Sequence, residues 1–344
     1  METFDWLVVG AGAAGIASIG KLLDEGIQPK KIAWIDPEFN AGDLGKYWSN
    51  VSSNTDVSLF TKFFNQYSCF NYAAFNSPLK TFDQNDKCQL IHAADALKWV
   101  TSQLIDKVNV IKGKVDQLKS IQGCAWQVKG NGVDLIAKKV ILAQGSDANT
   151  LNFDTKIIPL DIALNKDKLQ KQKLKNKKVA VFGSSHSAVI IIQSLLEQGA
   201  EVANFYRSPL VYAVNMGDWL LHDGTGLKGK TAEWAKENLH SHTQKNLKRY
   251  LSNKSNIDKY LPVCDYAVYA TGFKKRAIKV DDVSADDYDP RNGIIAPGVF
   301  GVGIAYPELA TDPYGHQEYH VGLYKFMKLI DRVFPLWQVY PQAI

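Results

Sequence analysis

Residues 6–15 read Trp6-Leu7-Val8-Val9-Gly10-Ala11-Gly12-Ala13-Ala14-Gly15, an apolar run that feeds a glycine-rich turn. This pattern predicts a buried strand handing over to a helix. The first N–H groups of that helix lack partners within it, and its dipole leaves that end positive, so the turn faces an anion such as a pyrophosphate. Gly10 permits the sharp reversal, Gly12 removes the Cβ that would block the phosphates, and Gly15 lets the helix pack closely on the strand. Ala13 and Ala14 complete the expected contact set.

Outward from the turn, residues 14–25 read as the helix and Lys31 to Ile35 as a second apolar strand, ending in Asp36. Asp36 follows Gly15 by 21 residues, where an acid accepts hydrogen bonds from an adenosine ribose, and Pro37 comes next. A strand-turn-helix with no ligand is the alternative reading.

The length of 344 residues suits two domains, and 46% hydrophobic residues can give each a core. A net charge of +5 from 40 basic and 35 acidic residues argues against nucleic acid as the main partner. No apolar run reaches the roughly 18 to 20 residues of a membrane span. Glu2 and Asp5 precede the glycine turn where a signal peptide would be basic, so the expectation is a cytoplasmic, reduced protein. Cys69, Cys88, Cys124 and Cys264 are too scattered for a disulfide scaffold or a zinc site, and the seven histidines form no metal-ligand set.

Residues 37–60, with Gly42, Gly45, Tyr47, Trp48 and Asn54, read as one long loop whose aromatics could cover a planar ring system; an aromatic-anchored surface loop is the alternative. Residues 94–107 predict an amphipathic helix and 109–111 a strand. Three strands, 115–121, 125–129 and 133–138, predict a β-meander, joined near Gln122-Gly123 and by the hairpin-forming Asn131-Gly132. A separate buried strand over 140–146 carries Ala143 and Gly145. Seven lysines between 166 and 178 mark a solvated linker.

The opening is then repeated. Residues 178–182 form a strand, Gly183-Ser184-Ser185-His186-Ser187-Ala188 the turn and 189–198 the helix, with Ser185 and Ala188 in place of the second and third glycines. The following strand, 201–206, ends in Arg207, not an acid. A carboxylate suits a free ribose hydroxyl, whereas an arginine suits the 2′-phosphate of NADP; a surface ion pair is the alternative. His186, in the turn, is expected to contact the nucleotide or the loop that covers it; a role as acid or base is the alternative. His240 and His242 fall in a helix-like stretch, 231–250, and face solvent. Residues 265–272 predict a strand ending at Gly272, an analogue of 140–145, and a closing helix is expected at about 318–333.

Two dinucleotide turns, a meander, the Ala270-Thr271-Gly272 strand end and the closing Gly298-Val299-Phe300-Gly301-Val302-Gly303 resemble the two-dinucleotide-binding flavoproteins that use FAD and NAD(P)H. The resemblance implies an α/β fold of two Rossmann-like domains: a discontinuous FAD domain of residues 1–164 and 267–344, a linker of 165–176, and an NAD(P)H domain of 177–266. Gly45-Lys46-Tyr47-Trp48 and Ser53-Asn54-Thr55 are similar to elements beside the flavin ring in flavin-containing monooxygenases. The F-x-G-x-x-x-H fingerprint of that branch is missing, and Gly303-Ile304 replaces a closing G-D. The resemblance further implies FAD contacts at Tyr47, Trp48, Val115, Ala143, Gly145, Gly272, Gly303 and Ile304, and an oxygen-assisting role for Asn54. It implies a monooxygenase in which NADPH reduces FAD and the reduced flavin reacts with oxygen to oxidise a small soft nucleophile. A reductase serving a quinone, thiol or protein, and a non-catalytic FAD-holding sensor, are the alternatives. No cysteine precedes Cys69, which argues against disulfide reduction. A homodimer is left open.

Overall fold

The computed structural model describes residues 2–341 apart from 122–124, 240–243, 282 and 285–286. Cys124, His240, His242 and the Gln122-Gly123 join therefore lie outside the described residues. The chain forms two units, residues 1–146 with 275–344, and residues 147–274.

The first unit is built on a nine-stranded sheet. Its parallel centre runs Val133–Leu142, Thr3–Val9, Ile32–Asp36 and Asn109–Lys112. Side chains alternate across a strand. Trp6 and Val8 accordingly enter a core with the helices Ala13–Asp24, Val57–Asn65, Leu90–Ile105 and Leu323–Val339, whereas Leu7 and Val9 pack against the meander.

The meander comprises Lys114–Ile121, Ala125–Asn131 and Val133–Leu142, with Gly130 opposite Val133 across the Asn131-Gly132 turn. Its third strand absorbs the start of the strand expected over 140–146 and ends at Leu142. Lys138 and Lys139 resemble a polar break, but they point to opposite faces. Lys138 pairs with Asp5 at 2.8 Å, and the buried Lys139 donates to the Trp337 and Gln338 carbonyls at 2.7 and 2.5 Å. Lys139 thus caps the closing helix, where a cation opposes the negative end of the dipole.

The expected loop at 37–60 is more regular than its composition suggests, with a π-turn at Leu44–Trp48, a strand at Ser52–Asp56 and the start of the helix Val57–Asn65. The closing helix begins at Leu323, not 318, because Gln317–His320 pairs antiparallel with Glu308–Thr311.

The second unit holds five parallel strands in the order Lys156–Ile157, Tyr266–Tyr269, Lys178–Phe182, Glu201–Tyr206 and Leu247–Leu251. The last of these replaces part of the helix expected over 231–250; the helix is Gly229–Asn238. The lysine-rich stretch is likewise no free linker. It carries the short helix Lys166–Gln170, and Leu169 and Leu174 are buried. Lysines pattern the outside of this segment, and its few leucines anchor it. The unit boundaries accordingly fall at 146/147 and 274/275.

Candidate active site

In the first unit Gly10 adopts φ +106°, and a Cβ there would lie 2.3 Å from the Ala143 carbonyl oxygen. Its N–H donates to Ile35 O at 2.7 Å, and the Trp34 indole donates to its carbonyl at 2.9 Å. A Cβ on Gly15 would sit 1.9 Å from Gly10 O, so close helix packing explains that glycine. Gly12 differs, since a Cβ there would meet no described protein atom nearer than Gly42 Cα at 4.0 Å. Packing does not require a glycine at this position. The helix Ala13–Asp24 has no side-chain cap and no acid in its first turn, leaving its positive end uncompensated by its own residues.

Beside the turn lies a cavity of about 240 Å³ walled by Gly10, Asp36, Pro37, Tyr47, Val115 and Arg276, among others. Asp36 accepts the Ala11 N–H at 2.8 Å on one oxygen and those of Glu38 and Phe39 at 2.8 and 2.7 Å on the other. This acid therefore fastens the turn as well as facing the cavity. Tyr47 stands edge-on to Trp48 at 6.1 Å, and Lys46, paired with Glu38, lies 5.4 Å from the Tyr47 ring centre.

Sequence reasoning missed Arg276, which binds Asp43 at 2.8 Å and donates to Gln144 O at 3.2 Å, while the Gln144 amide donates to Arg276 O at 3.2 Å. Gly145, at φ +75°, brings its backbone beside that guanidinium. Nothing in the sequence marks so distant a partner. Gly303, at φ +87°, abuts Ala14 at the helix start, and Ile304 packs on the helical core. Asn54 sits half-buried in Ser52–Asp56, accepting from Thr55 Oγ1 at 3.4 Å, and is not among the cavity walls.

The second turn repeats the first. Gly183, at φ +124°, would place a Cβ 2.4 Å from Ala270 O, and its N–H donates to Phe205 O at 2.9 Å. The helix His186–Glu197 begins after an exposed Ser185 with no side-chain cap and no acid in its first turn. His186 is thus the first helical residue, three positions ahead of the expected start. Burial, and secondarily the Lys228 charge, push its imidazole down to about 4, with Nε2 3.5 Å from Thr231 Oγ1. Ser184 Oγ donates to Ser208 O at 3.2 Å, and Ser187 is half-buried. Arg207 is exposed, one residue past the strand. Gly272, at φ +87°, has open space on its Cβ side.

Residues 4–276 match the sequence profile of the pyridine nucleotide-disulphide oxidoreductases. The chain belongs to this family. Like other members described by the same profile, it is an oxidoreductase by family, and the expected fold class stands. It is 30% identical, over an alignment of 381 positions, to Monooxygenase AgnR1 of Paecilomyces divaricatus, covering 96% of this chain and 97% of that one. A flavin-containing monooxygenase from Stenotrophomonas maltophilia superposes with a TM-score of 0.65 at 12% identity, covering 98% of this chain and 99% of its own. A bacillithiol disulfide reductase from Staphylococcus aureus superposes at 0.61 and 12%, with the same coverage. At such identities the two superpositions speak for the fold alone.

Within this oxidoreductase fold the surroundings of Cys69, Cys88 and Cys264 disfavour the thiolate. Burial pushes the Cys69 thiol up to about 11 and raises those of Cys88 and Cys264. No helix among the described residues is long and apolar enough to cross a membrane.

Proposed function

We propose that this chain is an NADPH-dependent FAD monooxygenase acting on a small soft nucleophile such as an amine or thioether. The observation that carries the reading is the pair of glycine turns with unlike rims, Asp36 in one unit and Arg207 in the other. The oxygenase branch is favoured by the near full-length likeness to a monooxygenase and by the raised thiols, since the thiolate is the nucleophile of disulfide exchange.

The open face of Gly12, the uncapped helix start and the adjoining cavity fit a flavin dinucleotide. Backbone N–H groups of residues 11–14 would hold its pyrophosphate, and Asp36 and Val115 would face its adenosine. Bound FAD would supply the redox chemistry between NADPH and oxygen. The chain's share is placement: Tyr47 and Trp48 shield an aromatic surface, Asn54 offers a carboxamide, and Arg276 ties Asp43 to the strand end at Gln144. In the second unit Gly183 to Ser187 would receive the nicotinamide nucleotide and Arg207 its 2′-phosphate.

Purified protein reconstituted with FAD should lose its oxidised absorbance when NADPH is added without oxygen, and should oxygenate an amine or sulfide in air. If every such compound yields only peroxide while a quinone accelerates NADPH use, the chain is a flavin reductase. If the absorbance stays oxidised for hours, it is a nucleotide-holding sensor.

A further inference from the structure

A polar side chain in the middle of a buried strand needs partners. Asn204 is fully buried within Glu201–Tyr206, in register with Val181 on one side and Arg249 on the other. Its amide nitrogen donates to Val181 O at 3.0 Å and to Gly183 O at 2.8 Å. Its carboxamide oxygen accepts from Arg249 Nε at 3.0 Å. The Arg249 guanidinium in turn stacks 4.6 Å from the Tyr206 ring centre and donates to Leu239 O at 3.3 Å, so it is held from several sides.

A carboxamide can turn over with almost no change of shape, exchanging acceptor for donor. A guanidinium has no acceptor, so Arg249 admits only the Asn204 oxygen and commits both amide hydrogens to the Val181 and Gly183 carbonyls. We propose that Arg249 is a positioning residue of the second nucleotide turn, acting through Asn204 to fix the Gly183 peptide and thus the direction of the N–H groups that receive the nucleotide pyrophosphate. This rests on the reading of the second unit as the NADPH site. The pyrophosphate is common to NADPH and NADH, so Arg249 governs both, whereas Arg207 would serve only the 2′-phosphate.

The test is the dissociation constant of the FAD-loaded protein for NADP+ and for NAD+, measured calorimetrically, which needs no turnover. Arg249→Met and Asn204→Leu should each weaken both nucleotides by the same factor, about 10-fold. The double variant should bind no worse than either single one, because both break a single chain of contacts. Arg249→Lys, also a donor with no acceptor, should keep more of the affinity than Arg249→Met for both nucleotides, a rescue that a variant failing to fold would not show. Unchanged affinities, additive losses, or a loss confined to NADP+ would each overturn the proposal. Wild-type protein that binds neither nucleotide would instead end the reading of the unit, and this inference with it.

Discussion

In both units the first glycine of the turn is held in the same way. Gly10 and Gly183 donate to the carbonyls of Ile35 and Phe205, and each accepts a side-chain N–H from the preceding residue of that strand, Trp34 or Asn204. Each also presses its missing Cβ against a carbonyl, of Ala143 or Ala270. Beyond that point the turns part. The first has Gly12 where the second has Ser185, Gly15 where the second has Ala188, Ala13 where the second has His186, and an acid at the rim where the second has an arginine. A shared scaffold with unlike contact positions separates the glycines that packing demands, Gly10, Gly15 and Gly183, from Gly12, which it does not.

The sharpest way to break the comparison is Gly12→Val. Apart from its chain neighbours, the nearest described protein atom to the new Cβ is Gly42 Cα at 4.0 Å, so the unliganded protein should melt near the wild-type temperature. The side chain would occupy the phosphates' space, and overpacking of up to about 3 kcal/mol means flavin affinity falling on the order of 100-fold. Flavin fluorescence titration checks it. If melting falls together with affinity, Gly12 belongs to the chain's packing after all.

The rims offer the next test. Arg207 is exposed, so Arg207→Ala should leave melting unchanged. A charge-assisted hydrogen bond of about 1.5 to 3 kcal/mol predicts NADPH binding weaker by roughly 10- to 100-fold, with NADH nearly untouched. Equal losses for both would show that Arg207 does not read the 2′-phosphate.

How much of this was legible beforehand follows from what sets each feature. The first turn, the second turn and the meander are local patterns of glycine spacing and alternation, and residues 178–182 and 201–206 were located to the residue. Leu247–Leu251 was missed because Lys248 and Arg249 break its apolar character, and the reason for Arg249 lies on a neighbouring strand 45 residues away. Lys138 and Lys139 misled in the same way, since their partners are Asp5 and the end of the last helix. Arg276 and Asp43 meet across 233 residues. Short-range periodicity reports burial, but it cannot report a polar residue recruited by a distant one.

The smallest effect concerns His186, where the first turn carries Ala13. An ordinary histidine titrates near 6.5, and this one is held at about 4, chiefly by burial and then by the Lys228 charge. The unfolded chain therefore takes up a proton before the folded one does. The neutral imidazole's contribution is intact above about 6.5 and is lost as the pH falls from there towards 4. At about 1.4 kcal/mol per pKa unit, discounted for partial exposure, the loss amounts to about 1 to 3 kcal/mol. Asp5, Asp265 and Glu308, whose carboxyls are held low by their cationic or backbone partners, also lose stabilisation on acidification, so the informative quantity is the difference between two proteins. His186→Ala, which copies the first turn, should make the denaturation free energy fall less between pH 7 and pH 4.5 than it does in wild type. Parallel curves would mean that His186 is hydrated in solution, and the contrast between the two turns would then reduce to their rims and the Gly12 position.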